Sequence, residues 1–199
     1  TALSDTDLAS FPCSYSAGEN MLVRANVRAG EIVVVTGASG GVGSATVQLA
    51  KRRGARVAAI ASASKCHDIK ALGAEWVIPR GDSLLDHLGP EEADVVLDVV
   101  GGPQWPELLH VLKRGGRYAV AGAIAGPLVT LDLRTLYLKD LQLLGCTVFE
   151  PGIFENLVTY IERGEITPLV ARVFPLARIV EAQQEFLAKG FVGKIVLVP

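Results

Sequence analysis

Two short stretches combine residue types that could hold a nucleotide. One is Thr36 to Gly43, TGASGGVG; the other is Ala61-Ser62-Ala63-Ser64-Lys65. A pyrophosphate needs backbone N–H groups at a helix N-terminus with no Cβ in the way, and clustered glycines between a strand and a helix supply both. Ala38, Gly40 and Gly43 spell G-x-G-x-x-G with its first glycine replaced by alanine. In that reading Gly40 lets the chain approach the phosphates, with Gly41 and Val42 beside it. Gly43 lets the helix pack on the strand, and Gly37 has no role of its own.

The second stretch bears on the adenosine ribose. An NAD site places Asp or Glu roughly 20 residues after the glycines, at the end of the second strand. Here that strand ends without an acid. The Ser62 hydroxyl and the Lys65 ammonium suit a 2′-phosphate, since the lysine adds charge and no carboxylate repels it. The expected cofactor is therefore NADPH, with NADH as the alternative.

Other candidates carry less. His67, His87 and His110 lack metal-ligand spacing and fall on helical stretches among polar neighbours. Cys66 and His67 are adjacent on a helix and point apart. Asp98 ends a strand at the cofactor edge and is expected to fix the following turn. Cys13 reads as a small half-buried thiol. No nucleophilic triad, catalytic residue or metal site is assigned.

These residues need elements to position them. Residues 32–36 are a short apolar run suited to a strand covered on both faces. A helical stripe follows over 41–53, ended by Gly54. Then come a strand at 56–61, a helix over 63–72, a strand near 75–78, a short helix around 83–88 and a strand at 94–99. Pro103 and Pro106 open a helix reaching about Arg114, and Gly115-Gly116 leads into the strand RYAVAGA. A strand near 141–149 precedes a helix from Ile153 to Arg163. The alternation predicts an α/β fold, a doubly wound parallel sheet with right-handed crossovers. The flanks read as a loop and helix over 1–28, and as strand, helix (Leu176 to Lys189) and strand over 172–199.

Composition agrees with such a domain. Of the 199 residues 50% are hydrophobic and 20% charged, enough for a large core. The formal net charge is −2, and no basic cluster interleaves with aromatics, which argues against nucleic acid as a partner. Three scattered cysteines do not make a disulfide framework. With no membrane-length apolar run and no signal pattern, the expected location is cytoplasmic. Thr1 suggests a piece of a longer protein.

The turn TGASGGVG also fits T-G-x-x-x-G-x-G of the short-chain dehydrogenases. That reading requires Tyr-x-x-x-Lys, yet Glu19, Gly122, Leu141 and Gly164 follow the four tyrosines at that spacing. It also requires Asn-Ala-Gly after the fourth strand, where the chain has Val99-Val100-Gly101-Gly102. It fails on both counts.

From Val27 onward the sequence resembles the cofactor-binding half of the medium-chain dehydrogenase/reductase superfamily, above all its quinone oxidoreductase and zinc-type alcohol dehydrogenase branches. The resemblance rests on VRAGEIVVVTGASGGVGSATVQLAK, KALGAEWVI, DVVLDVVGG, LKRGGRYAVAG and FPLARIVEAQQEFLAKGFVGKIVLVP, in order. It implies a six-stranded Rossmann sheet over 29–165 that binds a nicotinamide cofactor. Lys65 would stand where these reductases keep a 2′-phosphate lysine, Val100 would touch the nicotinamide ribose, and Gly122, Ala123 and Ile124 would lie along the cofactor. Arg80 stands where those reductases often have tyrosine and would compensate for it.

The resemblance also implies a GroES-like catalytic domain absent from these residues. Segment 1–28 would be its hinge and 166–199 would abut it. Cys13 matches the spacing of a zinc-ligand cysteine in the alcohol dehydrogenases. The strand near 143–149 would pair across a two-fold axis in a homodimer. The expected function is the NADPH-binding domain of an oxidoreductase acting on a quinone, enone, aldehyde or alcohol. The chain alone is expected to bind cofactor without turnover. The alternative is a catalytically silent nucleotide-sensing module.

Overall fold

The computed structural model describes residues 3–199. Its centre is a parallel sheet of six strands: β1 (Ile32–Val35), β2 (Arg56–Ala61), β3 (Trp76–Pro79), β4 (Ala93–Asp98), β5 (Leu112–Val120) and β6 (Gln142–Gly145). Their spatial order is β3-β2-β1-β4-β5-β6, so the chain winds outward from β1 to one edge, returns to β4 and winds to the other. This is the doubly wound Rossmann arrangement, and its switch point lies between β1 and β4.

The apolar runs form strands because both faces of the sheet are covered. Val33 and Val35 bury into one layer and Val34 into the other, each at most 1% exposed. The first layer holds α2 (Pro12–Arg24), α3 (Gly41–Arg52) and α8 (Ile153–Glu162), which contribute Met21, Leu22, Val47, Leu49 and Leu157. α4 (Cys66–Ala71) adds Ile69 to it. The second layer holds α5 (Leu84–Leu88) and α6 (Trp105–His110), with Leu84, Trp105, Leu108 and Leu109 packed on Val96 and Tyr118.

The strand expected near 141–149 ends at Gly145, and three further places differ from the sequence reading. The N-terminal segment forms two helices, α1 (Asp5–Ser10) and α2. Ser4 and Asp7 make a capping box for α1, and the break falls at Phe11, before Pro12, whose missing N–H cannot continue the α1 bonding. The helix opened by the prolines stops at His110 rather than near Arg114. Val111 and Leu112 are fully buried, and the Val111 carbonyl accepts from Ala93 N–H at 2.8 Å, so the sheet claims them. Residues 113–116 then bulge, with Gly115 at φ +73°, before pairing resumes at Arg117. A short helix, α7 (Leu133–Leu138), is capped by the Asp132 side chain and buries none of its residues.

The C-terminal segment forms β7 (Val170–Pro175), α9 (Ile179–Ala188) and β8 (Lys194–Val198), with β7 and β8 paired in parallel as a separate two-stranded sheet. α1 packs against both strands. Among the described residues, no helix is long and apolar enough to cross a membrane.

Candidate cofactor-binding site

Sheet topology decides where a site can form. Strands β1 and β4 send their following loops in opposite directions, and a crevice opens at their carboxyl ends. Both stretches singled out above, and the loops after β4 and β5, lie at that edge.

The glycine turn joins β1 to α3. Gly40 is the N-cap of α3 with no side-chain cap, and the helix's own bonding begins at Ser44 N–H to the Gly40 carbonyl, 2.9 Å. The N–H groups of Gly41, Val42 and Gly43 belong to the first turn, which a helix cannot pair internally. A Cβ on Gly43 would stand 2.2 Å from the Gly37 carbonyl oxygen, so only glycine lets α3 seat against β1. Gly40 is less constrained, with its nearest neighbour at 3.4 Å. Gly37, given no role above, adopts φ +57°, and a Cβ there would meet Val100 and Val99 methyls at 3.0 and 3.1 Å. The turn needs it.

A buried carboxylate holds the loop after β4. Asp98 is 0% exposed and accepts from Thr36 Oγ1 at 2.5 Å, Val100 N–H at 2.8 Å, Gly101 N–H at 3.1 Å and the Tyr118 hydroxyl. Every one of these contacts is a donor to the carboxylate oxygens. Burial and then Asp98 itself push the Tyr118 phenol upward, which keeps it a donor. Gly101 at φ +63° then turns the chain. The loop after β5 is stitched on: Ala125 N–H donates to the Val100 carbonyl at 2.8 Å, and Gly102 N–H to the Gly126 carbonyl at 3.1 Å. A Cβ on Gly122 would stand 2.9 Å from the Val99 carbonyl oxygen. Val100, Gly122 and Ala123 are thus drawn to one edge with the glycine turn. Ile124 sits at the rim with its side chain 85% exposed.

At the far end, Ser62 precedes a single helical turn and Lys65 is 8% exposed. The Lys65 ammonium donates to the Lys189 carbonyl, at the end of α9. Burial, with the charges of Arg80 and Lys189, lowers its pKa below the ordinary lysine value. Cations therefore converge where the 2′-phosphate lysine was expected.

The sequence reading missed two neighbours of the turn. Lys194, at the start of β8, lays its stem over Gly41, with Cδ 2.6 Å from where a Cβ would stand. Ser14 Oγ lies 2.8 Å from the same point, fully buried and without a hydrogen-bond partner. Neither carries a local signal, because both arrive from distant segments. Cys13 is exposed rather than half-buried, one residue into α2 with its side chain turned away from the core. His67, His87 and His110 are exposed as well.

The crevice suits an elongated dinucleotide. Its floor is backbone that a Cβ would fill, a helix N-terminus faces its middle and cations stand at one end. These residues fit a nicotinamide cofactor.

Comparison with known proteins agrees. A family model for zinc-binding dehydrogenases matches residues 41–163. An acryloyl-coenzyme A reductase from Metallosphaera sedula is 35% identical over 199 residues, covering 99% of this chain and 59% of that protein. A chloroplastic NADPH-dependent alkenal/one oxidoreductase from Arabidopsis thaliana is 30% identical, covering 96% and 46%. A solved structure from Sinorhizobium meliloti, provisionally named an alcohol dehydrogenase, superposes with a TM-score of 0.95 at 50% identity, covering 100% and 56%. The chain spans about half the length of the relatives it matches.

Proposed function

The chain belongs to the zinc-binding dehydrogenase family, within the medium-chain dehydrogenase/reductase superfamily, and from that premise we propose that it is the NADPH-binding part of an oxidoreductase. Residues 29–165 form the cofactor domain in this reading. Segments 1–28 and 166–199 abut a catalytic domain supplied by the rest of the protein. The substrate class is a quinone, enone, aldehyde or alcohol, the parent is a homodimer paired along β6, and its location is the cytoplasm.

One arrangement supports the reading: the glycine turn opens α3 after β1, Lys194 lies over its Gly41, and Lys65, bonded to the Lys189 carbonyl, feels the Arg80 and Lys189 charges. Gly40, Gly41, Val42 and Gly43 hold the pyrophosphate, and Ser62 and Lys65 take the adenosine ribose and its phosphate. Val100, Gly122, Ala123 and Ile124 line the nicotinamide half. The bound cofactor supplies a hydride. This chain binds and orients it. Asp98 and Tyr118, the titratable groups at the nicotinamide edge, are committed to each other and to the loops. The proton donor for a carbonyl or enone therefore comes from outside this chain, and the chain alone does not turn over.

The family name also implies zinc, which the described residues do not fit. No group of three or more His, Cys, Asp or Glu stands together among them, and a catalytic zinc takes three protein ligands. Cys13 offers one exposed thiol.

Calorimetric titration of the chain with NADPH and NADH tests the reading. NADPH is expected to bind more tightly by about tenfold or more, about 1.4 kcal/mol, and Lys65→Ala to remove most of that preference. Equal affinities, or a preference for NADH, would overturn the choice of cofactor.

A further inference from the structure

The C-terminal unit crosses the crevice at its adenosine end through the short turn between α9 and β8. That turn makes three contacts with the glycine turn and Lys65, besides the Lys194 N–H bond to the Leu169 carbonyl at 2.9 Å. The Lys189 carbonyl accepts from the Lys65 ammonium. Gly193 N–H donates to the Ser39 carbonyl at 3.1 Å. The Lys194 stem covers Gly41. One turn thus grips both the glycine loop and the residue assigned to the 2′-phosphate.

Charge at this grip is one-sided. The Arg80 and Lys189 charges both act against the Lys65 ammonium. Among the described residues neither has a carboxylate within salt-bridge distance, and the Lys189 ammonium instead sits 3.5 Å from the Phe186 ring centroid. Lys189 also adopts φ +55°, a left-handed conformation that costs a non-glycine residue free energy. The turn is therefore held by few bonds against like-charge repulsion and some backbone strain.

We propose that residues 189–194 are a strap that tightens over the crevice when a 2′-phosphate is bound there, and not when the ribose carries a bare hydroxyl. The proposal rests on the cofactor reading above. A phosphate dianion among three cations removes their mutual repulsion. An ammonium has three donors, so Lys65 can bond a phosphate oxygen and keep the Lys189 carbonyl. A 2′-hydroxyl can accept from Lys65 but carries no charge to offset the repulsion. The cofactor's identity is then felt by α9, whose outer face carries the exposed Val180 and Leu187.

Amide hydrogen exchange on the full chain, read by mass spectrometry, tests this. The arms are no nucleotide and saturating NADPH, NADH, adenosine 2′,5′-bisphosphate or 5′-AMP, with occupancy fixed by calorimetry. Exchange in 189–194 should slow about threefold or more with NADPH and the bisphosphate and stay unchanged with NADH and 5′-AMP. Lys65→Met should speed it without nucleotide and abolish the response. Equal slowing by every nucleotide, or none at full occupancy, would overturn the strap while leaving the cofactor reading intact. No binding of any nucleotide would overturn both.

Discussion

The carbonyl oxygen of Gly37 lies 2.2 Å from where a Cβ on Gly43 would stand, so the two ends of the nucleotide turn meet through bare backbone. Gly43→Ala must push α3 off β1 and should destabilise the chain by about 3 kcal/mol, read from the urea midpoint. Gly40→Ala has room, with its nearest neighbour at 3.4 Å, and should stay folded while losing nucleotide affinity. If Gly43→Ala folded as well as Gly40→Ala, the close packing described here would be wrong.

Asp98 should matter to stability and to loop geometry together. In Asp98→Asn one oxygen becomes an N–H₂ facing donors, at a cost of about 1–3 kcal/mol, and the Val100 loop loosens, so NADPH affinity falls as well. Tyr118→Phe leaves the carboxylate its bonds from Thr36, Val100 and Gly101 and should cost about 1 kcal/mol. Chemical denaturation of both variants checks the ranking.

Alkaline pH should weaken the fold through its buried tyrosines, Tyr15 and Tyr118 foremost, and the half-buried Tyr160 with them. Burial raises the pKa of Tyr15 and of Tyr118 above the ordinary value of about 10. The folded state then holds these protons more tightly than the unfolded chain. Their contribution is fully present below about pH 10 and is lost as pH rises beyond it. Urea midpoints measured across that range should fall less for a Tyr15→Phe/Tyr118→Phe double variant than for the wild type.

Among the described residues the edge strand β6 pairs only with β5, and Leu143 on it is 40% exposed. If copies join along it, Leu143→Lys places a charge at the seam and should shift sedimentation from dimer to monomer. A wild-type chain already monomeric at high concentration would remove that interface.

The sheet and the glycine turn were legible in the sequence because IVVV, buried on both faces, and the glycines carry their constraint locally. The end of α6 was not: Leu108, Leu109, Val111 and Leu112 are all apolar, and periodicity does not say which of them β5 takes. Helix α7 escaped because it buries nothing, so no stripe marks it. Gly37 was undervalued because a positive φ leaves no trace in spacing. Lys189 meets Lys65 across 124 positions, a juxtaposition made only by the fold.

Helix α1 lies against β7 and β8, so the first and last described elements share one flank of the molecule. Tension applied across the chain ends would fall first on that flank, peeling α1 from β8. The six-stranded sheet would bear no load until the seam gave way.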